Sequence, residues 1–277
     1  SRSKSRIVCP VNSSPLADAT GQVAPFLNDF SASAKEHGFR EEPFGETDAG
    51  PLLAFTKHTA GPRPRIYIST GIHGDEPAPP AALLSLIHDG FFDARANWFL
   101  VPVLNPTGLQ LGQRESKDGH DLNRDFLDRN TPEIRSLTTW LNRQPCFDLC
   151  LCLHEDWEAQ GIYIYEVNRR DTPGYAHEIL RAAKAALPVD PATTIDERPI
   201  DEPGIIRPVS DPLLRENWPE TIYLINHHTS LGYTFETPSG QSLESRVNAL
   251  KLAVTAAVSA AIRDFSQTPP CPRSTER

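Results

Sequence analysis

The side chains best suited to chemistry are histidines and acids that stand just after apolar runs. His73 and Glu76 follow the apolar run Arg65–Ile72, and a spacing of three lets one turn direct both side chains to one point. His154 follows a second apolar run, Phe147–Leu153. Two imidazoles and a carboxylate suit Zn²⁺, and a catalytic zinc has three protein ligands and one open position. His73, Glu76 and His154 supply this number of ligands.

Each segment taken alone also has a purely structural explanation. His73 could lie on the surface, with Glu76 near a helix N-terminus, where the helix dipole favours a carboxylate. His154 could be a histidine at the edge of the core beside an acidic neighbour. Both segments, however, stand at the predicted carboxyl ends of strands, and in open α/β sheets ligands collect at these ends. This shared position favours the metal site.

Glu236 closes a third short segment, Gly232–Glu236, and is followed by Thr237 and Pro238. Alternation along that segment places Thr234 and Glu236 on one face. A glutamate in this position is often only a charge at a strand end. If it faces the metal, it is the base that takes a proton from water, and desolvation raises its pKa toward neutrality, as that role requires.

Two arginines lie in a polar segment that follows the apolar run Trp98–Leu104. Arg114 and Arg124 carry planar guanidinium groups, which are suited to bidentate contacts with carboxylates or oxyanions. Arginines in loops are normally solvated surface residues. Two of them beside a strand's carboxyl end, in an acidic protein, favour a site for an anionic group.

The order of these motifs resembles the M14 zinc metallocarboxypeptidase family. Each motif is short, but the ordered set of six is specific, and it lies between Ile66 and Gly240. The murein peptide amidase-like and succinylglutamate desuccinylase/aspartoacylase-like branches share the same machinery. The six motifs are His73-x-x-Glu76, Asn105-Pro-x-Gly108, Arg114, Asn123-Arg124, His154 and Glu236.

This resemblance implies a role for each motif residue. One Zn²⁺ per chain is held by His73, Glu76 and His154, as in the family's His₂Glu zinc sites. Glu236 is implied as the base and proton shuttle, and Arg114 as the donor that stabilises the oxyanion. Two further residues are implied to bind the substrate's terminal carboxylate, namely Asn123 and Arg124.

The implied activity is hydrolysis of an amide bond next to a terminal carboxylate, as a carboxypeptidase or peptide amidase, with cell-wall peptides among the candidate substrates. An N-acyl amino acid deacylase is the alternative, and the lack of an obvious additional C-terminal β-domain favours the first reading. A non-catalytic carboxylate-binding module is the second alternative. Competent residue types at all six positions argue against it, because a binding module does not require Glu236.

The chain departs from the family pattern at two places. Digestive members carry a mobile tyrosine upstream of the base, and no tyrosine aligns with it; Tyr223 and Tyr233 lie nearby in sequence. The residues after the third ligand are acidic or large, where small residues are common. We expect Glu155, Asp156 and Trp157 to line the specificity pocket or to support the metal ligands.

Apolar segments alternate with amphipathic ones, which predicts an α/β fold of three layers with a mixed, mostly parallel twisted sheet and helices on both faces. The zinc carboxypeptidase-like arrangement fits this pattern. Residues 188–219 form a long Pro- and acid-rich stretch, typical of a lid, a binding loop or a disordered insert. The segments with predicted strands are Leu52–Thr56, Arg65–Ile72, Trp98–Leu104, Phe147–Leu153, Ile162–Val167, Thr221–Ile225 and Gly232–Glu236. The segments with predicted helices are Gln22–His37, Pro77–Asp89, Thr131–Arg143, Pro173–Leu187 and Gln241–Phe265.

Length and composition fit a single globular catalytic domain over residues 1–265, with a disordered tail at 266–277. The chain has 277 residues, 39% hydrophobic residues and a formal net charge of -9. This charge argues against nucleic acid or an anionic membrane as the main partner, because the protein's mean field repels phosphates. A small peptide or acyl-amino-acid substrate is implied by the family resemblance. Five cysteines without a CxxC pair suit packing thiols, and no apolar segment follows the basic start, so a cytoplasmic location is expected. The oligomeric state stays open.

Overall fold

The protein is described by a computed structural model that covers residues 23–195, 198–200, 202–208 and 210–267. The α-helices are α1 Val23–Glu36, α2 Ala78–His88, α3 Pro106–Leu111, α4 Pro132–Leu141, α5 Ala176–Ala183, α6 Glu220–His227 and α7 Leu243–Gln267. Short 3-10 helices span Leu122–Arg124 and Pro212–Leu214. The strands are β1 Arg40–Thr47, β2 Gly50–Lys57, β3 Arg65–Ser69, β4 Asn97–Val101, β5 Leu149–Asp156, β6 Tyr163–Asn168, β7 Thr194–Ile195, β8 Arg198–Pro199, β9 Ile205–Ile206 and β10 Leu231–Pro238.

Eight of the strands form one mixed sheet in the order β1-β2-β4-β3-β5-β10-β6-β9. Its central strands β4, β3, β5 and β10 are parallel neighbours. Antiparallel pairs flank this centre, between β1 and β2, β2 and β4, and β10 and β6. The predicted mixed, mostly parallel sheet is confirmed, and its parallel centre gathers the carboxyl ends of β3, β5 and β10 at one edge.

Alternation along the central strands divides the core between the two faces of the sheet. Ile66 and Ile68 of β3 pack in one apolar cluster with residues of α1, α2, α5 and α7. Tyr67, between them, packs in the other cluster with residues of α4 and α6. Strands buried on both faces read as continuous apolar runs, which is why β3 and β5 show no polar alternation. The predicted three-layer arrangement is confirmed.

One predicted strand is wrong. The segment Thr221–Ile225 belongs to helix α6, with Pro219 at the N-cap position and Glu220 in the first turn. A short apolar run rich in β-branched and aromatic residues does not distinguish a buried strand from one face of a buried helix. Here the segment packs on one face of the sheet as a helix and does not pair within the sheet, so tertiary packing decides its secondary structure.

Several other boundaries differ from the sequence prediction. Strand β1 was not predicted because its residues are mostly polar, and its pairing with β2 includes an irregularity near Pro43. The stretch 188–219 contains the short strands β7, β8 and β9. Helix α7 ends at Gln267, two residues inside the predicted tail, and residues 1–22 and 268–277 lie outside the described part. Within the described part, no helix has the length and apolar character needed to cross a bilayer.

Candidate metal centre and active site

Three side chains from distant parts of the chain converge at the carboxyl edge of the parallel strands. One ligand atom each from His73, Glu76 and His154 lies within 4.8 Å of the others, and all three residues are buried. Nδ1 of His73 is 2.6 Å from Oε1 of Glu76, and Nδ1 of His154 is 3.1 Å from Oε2. The structure thus brings the three predicted ligands to one point.

The loop from β3 to α2 holds His73 in place through a close contact with helix α3. A Cβ atom on Gly74 would lie 1.9 Å from the carbonyl carbon of Gly108, so only glycine allows this approach. The side chain of Asn105 accepts a hydrogen bond from the Gly108 amide and donates to the carbonyls of Ile72 and Glu115. The Asn-Pro-x-Gly motif is therefore structural: it ties the loop before Arg114 to the loop that carries His73.

Asp121 connects the first histidine to Arg114. Its Oδ1 is 3.2 Å from Nε2 of His73, and its Oδ2 accepts hydrogen bonds from Nε and Nη2 of Arg114 at 3.2 and 3.1 Å. Burial raises the pKa of Asp121, but the hydrogen bond and charge of His73 and the charge of Arg114 lower it far below its usual range. Because the Asp121 carboxylate contacts Nε2, the other ring nitrogen of His73, Nδ1, is directed at the ligand cluster. Histidine ligands of metals are commonly oriented in this way, by a carboxylate on the ring nitrogen that does not bind the metal.

Glu76 is the carboxylate at the centre of the cluster. Burial alone raises its pKa, but the imidazoles of His73 and His154 outweigh this and lower it to about 2. The backbone amide of Glu155 donates to Glu76 Oε2 at 3.1 Å, and a guanidinium nitrogen of Arg114 lies 3.7 Å from Oε1. The carboxylate is therefore ionised and fixed, the state in which it can bind a cation.

Glu155 supports the site from behind through its side chain. Its carboxyl group accepts a hydrogen bond from the backbone amide of Ala78 at the start of α2 and pairs with Arg246 of α7. Burial raises the pKa of Glu155 to about 7, although Arg246 opposes the shift. Glu155 thus connects β5, the strand that carries His154, to helices α2 and α7, and α2 begins two residues after Glu76.

Glu236 lies beside His154 because β5 and β10 are parallel and in register. Its Cα pairs with that of His154 on one side and with that of Tyr163 on the other. Registered neighbours point to the same face of a sheet, so all three side chains stand on the cleft side. Burial raises the pKa of Glu236 to about 8, against the opposing effect of His154. A bound cation would lower this pKa.

Asn123 and Arg124 lie in the 3-10 helix Leu122–Arg124. The Asn123 side-chain oxygen accepts a hydrogen bond of 2.8 Å from the backbone amide of Glu220. This contact orients the amide, so that its NH₂ group is the end left for a ligand. Arg124 donates from Nη1 to the Asn123 carbonyl at 2.9 Å. Both side chains line the cleft and can donate to a carboxylate.

All seven predicted site residues line a single cleft with a volume of about 360 Å³. Residues of β9, described residues after it, helix α6 and strand β10 also line it, with Ile206, Pro208, Thr221, Ile222 and Thr234 among them. Trp157 stands at the rim with 76% of its surface exposed. The arrangement combines a buried ligand cluster, a carboxylate with a raised pKa and several cationic donors within one cavity.

The donor set fits a resident divalent metal. Two imidazole nitrogens and a carboxylate oxygen within 4.8 Å of one another are borderline ligands of the kind that Zn²⁺ and similar ions prefer. The side chains behind them, Asp121 on His73 and Glu155 on the Glu76 loop, fix their orientation before any ion binds. Three ligands leave positions open for water and substrate.

The sequence profile of the succinylglutamate desuccinylase/aspartoacylase catalytic domain matches residues 62–200, half of the chain. The chain belongs to this family. It is therefore a member of a hydrolase family, as the ordered motifs predicted. The matched residues include His73, Glu76 and His154, whereas Glu236 lies beyond them in β10. No curated protein sequence matches this family member.

Solved structures share the fold of this family member. A candidate metallopeptidase from Shewanella amazonensis SB2B has a TM-score of 0.77 and 24% identity, over 87% of this chain and 94% of that chain. A metallo-carboxypeptidase from Burkholderia cenocepacia has a TM-score of 0.64 and 18% identity, over 87% and 69%. Bovine thrombin-activatable fibrinolysis inhibitor, in complex with tick carboxypeptidase inhibitor, has a TM-score of 0.63 and 14% identity, over 88% and 97%. The fold is therefore zinc carboxypeptidase-like.

Neither tyrosine near the base in sequence lies in the cleft of this family member. Tyr223 donates to Asn142 within the α6 face, and Tyr233 donates to Glu166 on the other face of the sheet. The tyrosines that line the cleft are Tyr163 and Tyr165, from β6. Sequence reasoning missed them because β6 lies far from Glu236 in the chain and adjoins it only through strand pairing.

Asp121 was also missed as a functional residue, although it stands two positions before Asn123. Its signal in the sequence was an acid two positions before the Asn-Arg pair. Histidine ligands commonly have such a carboxylate partner, so the search for one could have found it.

Proposed function

We propose that this protein is a zinc-dependent hydrolase that cleaves an amide bond next to a free carboxylate. The observation that carries this proposal is the convergence of His73, Glu76 and His154, with Glu236 in register beside them and Arg114 within 3.7 Å of Glu76. A cluster built only for stability would not require a carboxylate with a raised pKa and a guanidinium group in the same cleft.

Each side chain has a distinct task in this proposal. Glu236, as a carboxylate, accepts a proton from the attacking water and later donates it to the leaving amine nitrogen. Arg114 donates hydrogen bonds to the carbonyl oxygen as negative charge develops there. The Asn123 amide and the Arg124 guanidinium bind the substrate carboxylate and set the position of the scissile bond. Zn²⁺, when bound, supplies Lewis acidity toward water and toward the carbonyl.

The first substrate class we propose is a short peptide with a free terminal carboxylate, with cell-wall peptides as one source. The cleft supports this class because groups other than the ligand cluster also line it, with Asn123, Arg124 and Tyr163 among them. An N-acyl amino acid is the second candidate, and the family match of residues 62–200 favours it. Both classes share the amide bond and the neighbouring carboxylate.

Metal analysis combined with a matched substrate panel tests the proposal. Each substrate is offered with a free carboxylate and as its carboxamide, in a peptide series and in an N-acyl amino acid series. We expect one zinc per chain, loss of activity with a chelator, recovery with Zn²⁺, and hydrolysis of the free carboxylates only. Full zinc occupancy with no hydrolysis of either series would instead support the carboxylate-binding module.

A further inference from the structure

Tyr163 is the closest neighbour of Glu236 that the proposed mechanism does not use. It is the first residue of β6, and its Cα pairs with that of Glu236 across the antiparallel β6–β10 ladder. Side chains directly opposite in such a pair have Cβ atoms only about 4.5–5.5 Å apart. Tyr163 lines the cleft but is itself 3% exposed, so its phenol is held rather than free to move.

The single hydrogen of this phenol is already bound. The hydroxyl of Tyr163 donates a hydrogen bond of 2.8 Å to Oδ2 of Asp156, and Oδ1 of Asp156 accepts a hydrogen bond of 2.8 Å from the backbone amide of Glu158. Asp156 is thus fixed at both oxygens. Burial raises the pKa of Tyr163 far above its usual value, so the phenol stays protonated beside these carboxylates.

A phenol that donates its hydrogen to a carboxylate offers only lone pairs to any further partner. Tyr163 therefore presents a hydrogen-bond acceptor to the cleft. The same cleft is lined by donors, from Arg114, Asn123 and Arg124. With the substrate's carboxylate assigned to these donors and its scissile bond to the ligand cluster beside Glu236, the acyl side is the part left to meet Tyr163, the strand neighbour of Glu236.

We propose that Tyr163, fixed by Asp156, is a substrate-binding residue that accepts a hydrogen bond from an N–H group on the acyl side of the scissile amide. The inference rests on the proposed amide hydrolysis and narrows its substrate class. It favours acyl groups that are themselves amino-acyl, as in peptides, over simple aliphatic acyl groups, which have no N–H to offer.

A pair of substrates that differ in one atom tests this inference. One is an N-acetyl dipeptide with a free carboxylate; the other is the O-acetyl lactoyl-amino acid, in which oxygen replaces only the acyl-side N–H. The scissile amide and the carboxylate are the same in both. We expect the zinc-loaded wild-type protein to favour the N–H substrate by about tenfold in kcat/KM, the size of one hydrogen bond.

In the Tyr163→Phe variant this preference should fall to within about twofold, because the N–H substrate loses its acceptor and the oxygen substrate loses nothing. The Asp156→Ala variant releases the phenol hydrogen and should reduce the preference as well. Tyr175→Phe is the matched control. It removes the same kind of tyrosine–aspartate bond, to Asp264, from a tyrosine that does not line the cleft, so the preference should stay.

The outcomes separate the inference from the function on which it rests. An equal loss on both substrates in Tyr163→Phe would overturn the inference and leave Tyr163 a structural residue. Hydrolysis of simple N-acyl amino acids with no preference for the acyl-side N–H would also overturn it, while the proposed hydrolase function would stand. No zinc-dependent hydrolysis of any substrate by the wild-type protein would overturn both.

Discussion

The wall of the cleft that carries the metal ligands and the wall opposite it are held by different kinds of contact. We call the ligands His73, Glu76 and His154, with Glu236, the metal wall, and the described residues of 205–219 the outer wall. The metal wall stands on central parallel strands, and its three ligands are at most 4% exposed. The outer wall joins the sheet only through the two-residue strand β9 at its edge.

The ion pairs of the outer wall are correspondingly exposed. Arg207 pairs with the buried carboxylate of Glu166, but its own side chain is 42% exposed. Arg169 and Asp211 are 3.5 Å apart with both side chains in contact with solvent. A pair exposed on both sides, such as Arg169–Asp211, contributes about 0–1 kcal/mol. The comparison teaches that buried strand register positions the metal wall, whereas a short edge strand and exposed ion pairs hold the outer wall.

The largest effect is expected from Glu236→Gln in the metal wall. Removing a general base typically lowers the rate by about 10²–10⁴, and glutamine keeps the shape of the side chain. We expect kcat to fall by this amount while zinc stoichiometry and the melting temperature stay unchanged. Glu178→Gln, at a surface pair with Arg263, is the control. Near-native turnover of Glu236→Gln would show that another group is the base.

Arg114→Ala should have the next largest effect. Loss of one donor to a developing oxyanion typically costs about 10²–10³ in kcat. The expected loss lies in kcat rather than KM, because the interaction strengthens only as charge develops on the carbonyl oxygen. Addition of guanidinium ion should restore part of the rate. A variant with unchanged kcat and a raised KM would make Arg114 a binding residue instead.

Asp121→Asn should weaken metal binding rather than remove it. Asparagine keeps the size of the side chain but loses the charge that faces His73 and Arg114. Loss of such a partner typically lowers metal affinity about 10–100-fold. Competition titration with a zinc chelator measures this change. Asp264→Asn, which alters a carboxylate paired with Arg170 far from the ligands, is the control; an equal change in both variants would contradict the role of Asp121.

The pH dependence of kcat/KM should report the protonation state of Glu236. Burial raises its pKa to about 8, and a bound cation lowers it, so the acid limb of the zinc-loaded protein is expected below pH 8. The base acts as a carboxylate, so kcat/KM falls about tenfold per pH unit below this limb. Arg114 lowers the pKa of Glu236, so Arg114→Ala should move the limb to higher pH. A limb that stays in place, or a rate that rises toward acid, would contradict the assignment.

The smallest effect is expected in the outer wall, from Arg207→Ala. Loss of its bonds to Glu166 and Glu202 loosens one side of the cleft but touches no reacting group. We expect KM to rise by a few-fold, with kcat within about twofold, since a partly exposed pair is weak. Arg263→Ala removes a comparable exposed Arg–Glu pair far from the cleft and should change neither constant. If kcat fell by a larger factor than KM rose, the outer wall would affect the chemical step as well as substrate binding, which would contradict the distinction between the two walls.

The comparison also explains which parts of the site could be predicted. The ligand triad, Glu236, Arg114, Asn123 and Arg124 all follow or lie near strands in the sequence, and the structure places all seven in one cleft. Strand ends can be read from apolar runs followed by polar residues, and parallel strands gather their carboxyl ends at one edge. The roles of these residues remain predictions.

Glu155 and Asp156 were expected near the ligands from their position after His154, and both line the cleft. The place of Tyr163 and the partners of the two acids could not be predicted from spacing. Tyr163 adjoins Glu236 only because β10 pairs with β6 in one particular register, and a shift of one residue would turn its side chain to the other face. Asp156 and Glu155 adjoin each other in sequence but have different partners, a phenol on one side and α2 with α7 on the other.

The sequence by itself determined the alternation of apolar and amphipathic segments, and with it the layered α/β fold and the strand ends that carry polar residues. Tertiary structure decided the order of the strands, their register and the secondary structure of short apolar runs. Residues 221–225, for example, form part of a helix that packs on the sheet. The physical reason is that local periodicity fixes which face of a segment is apolar. Which surface that face meets depends on partners distant in the chain.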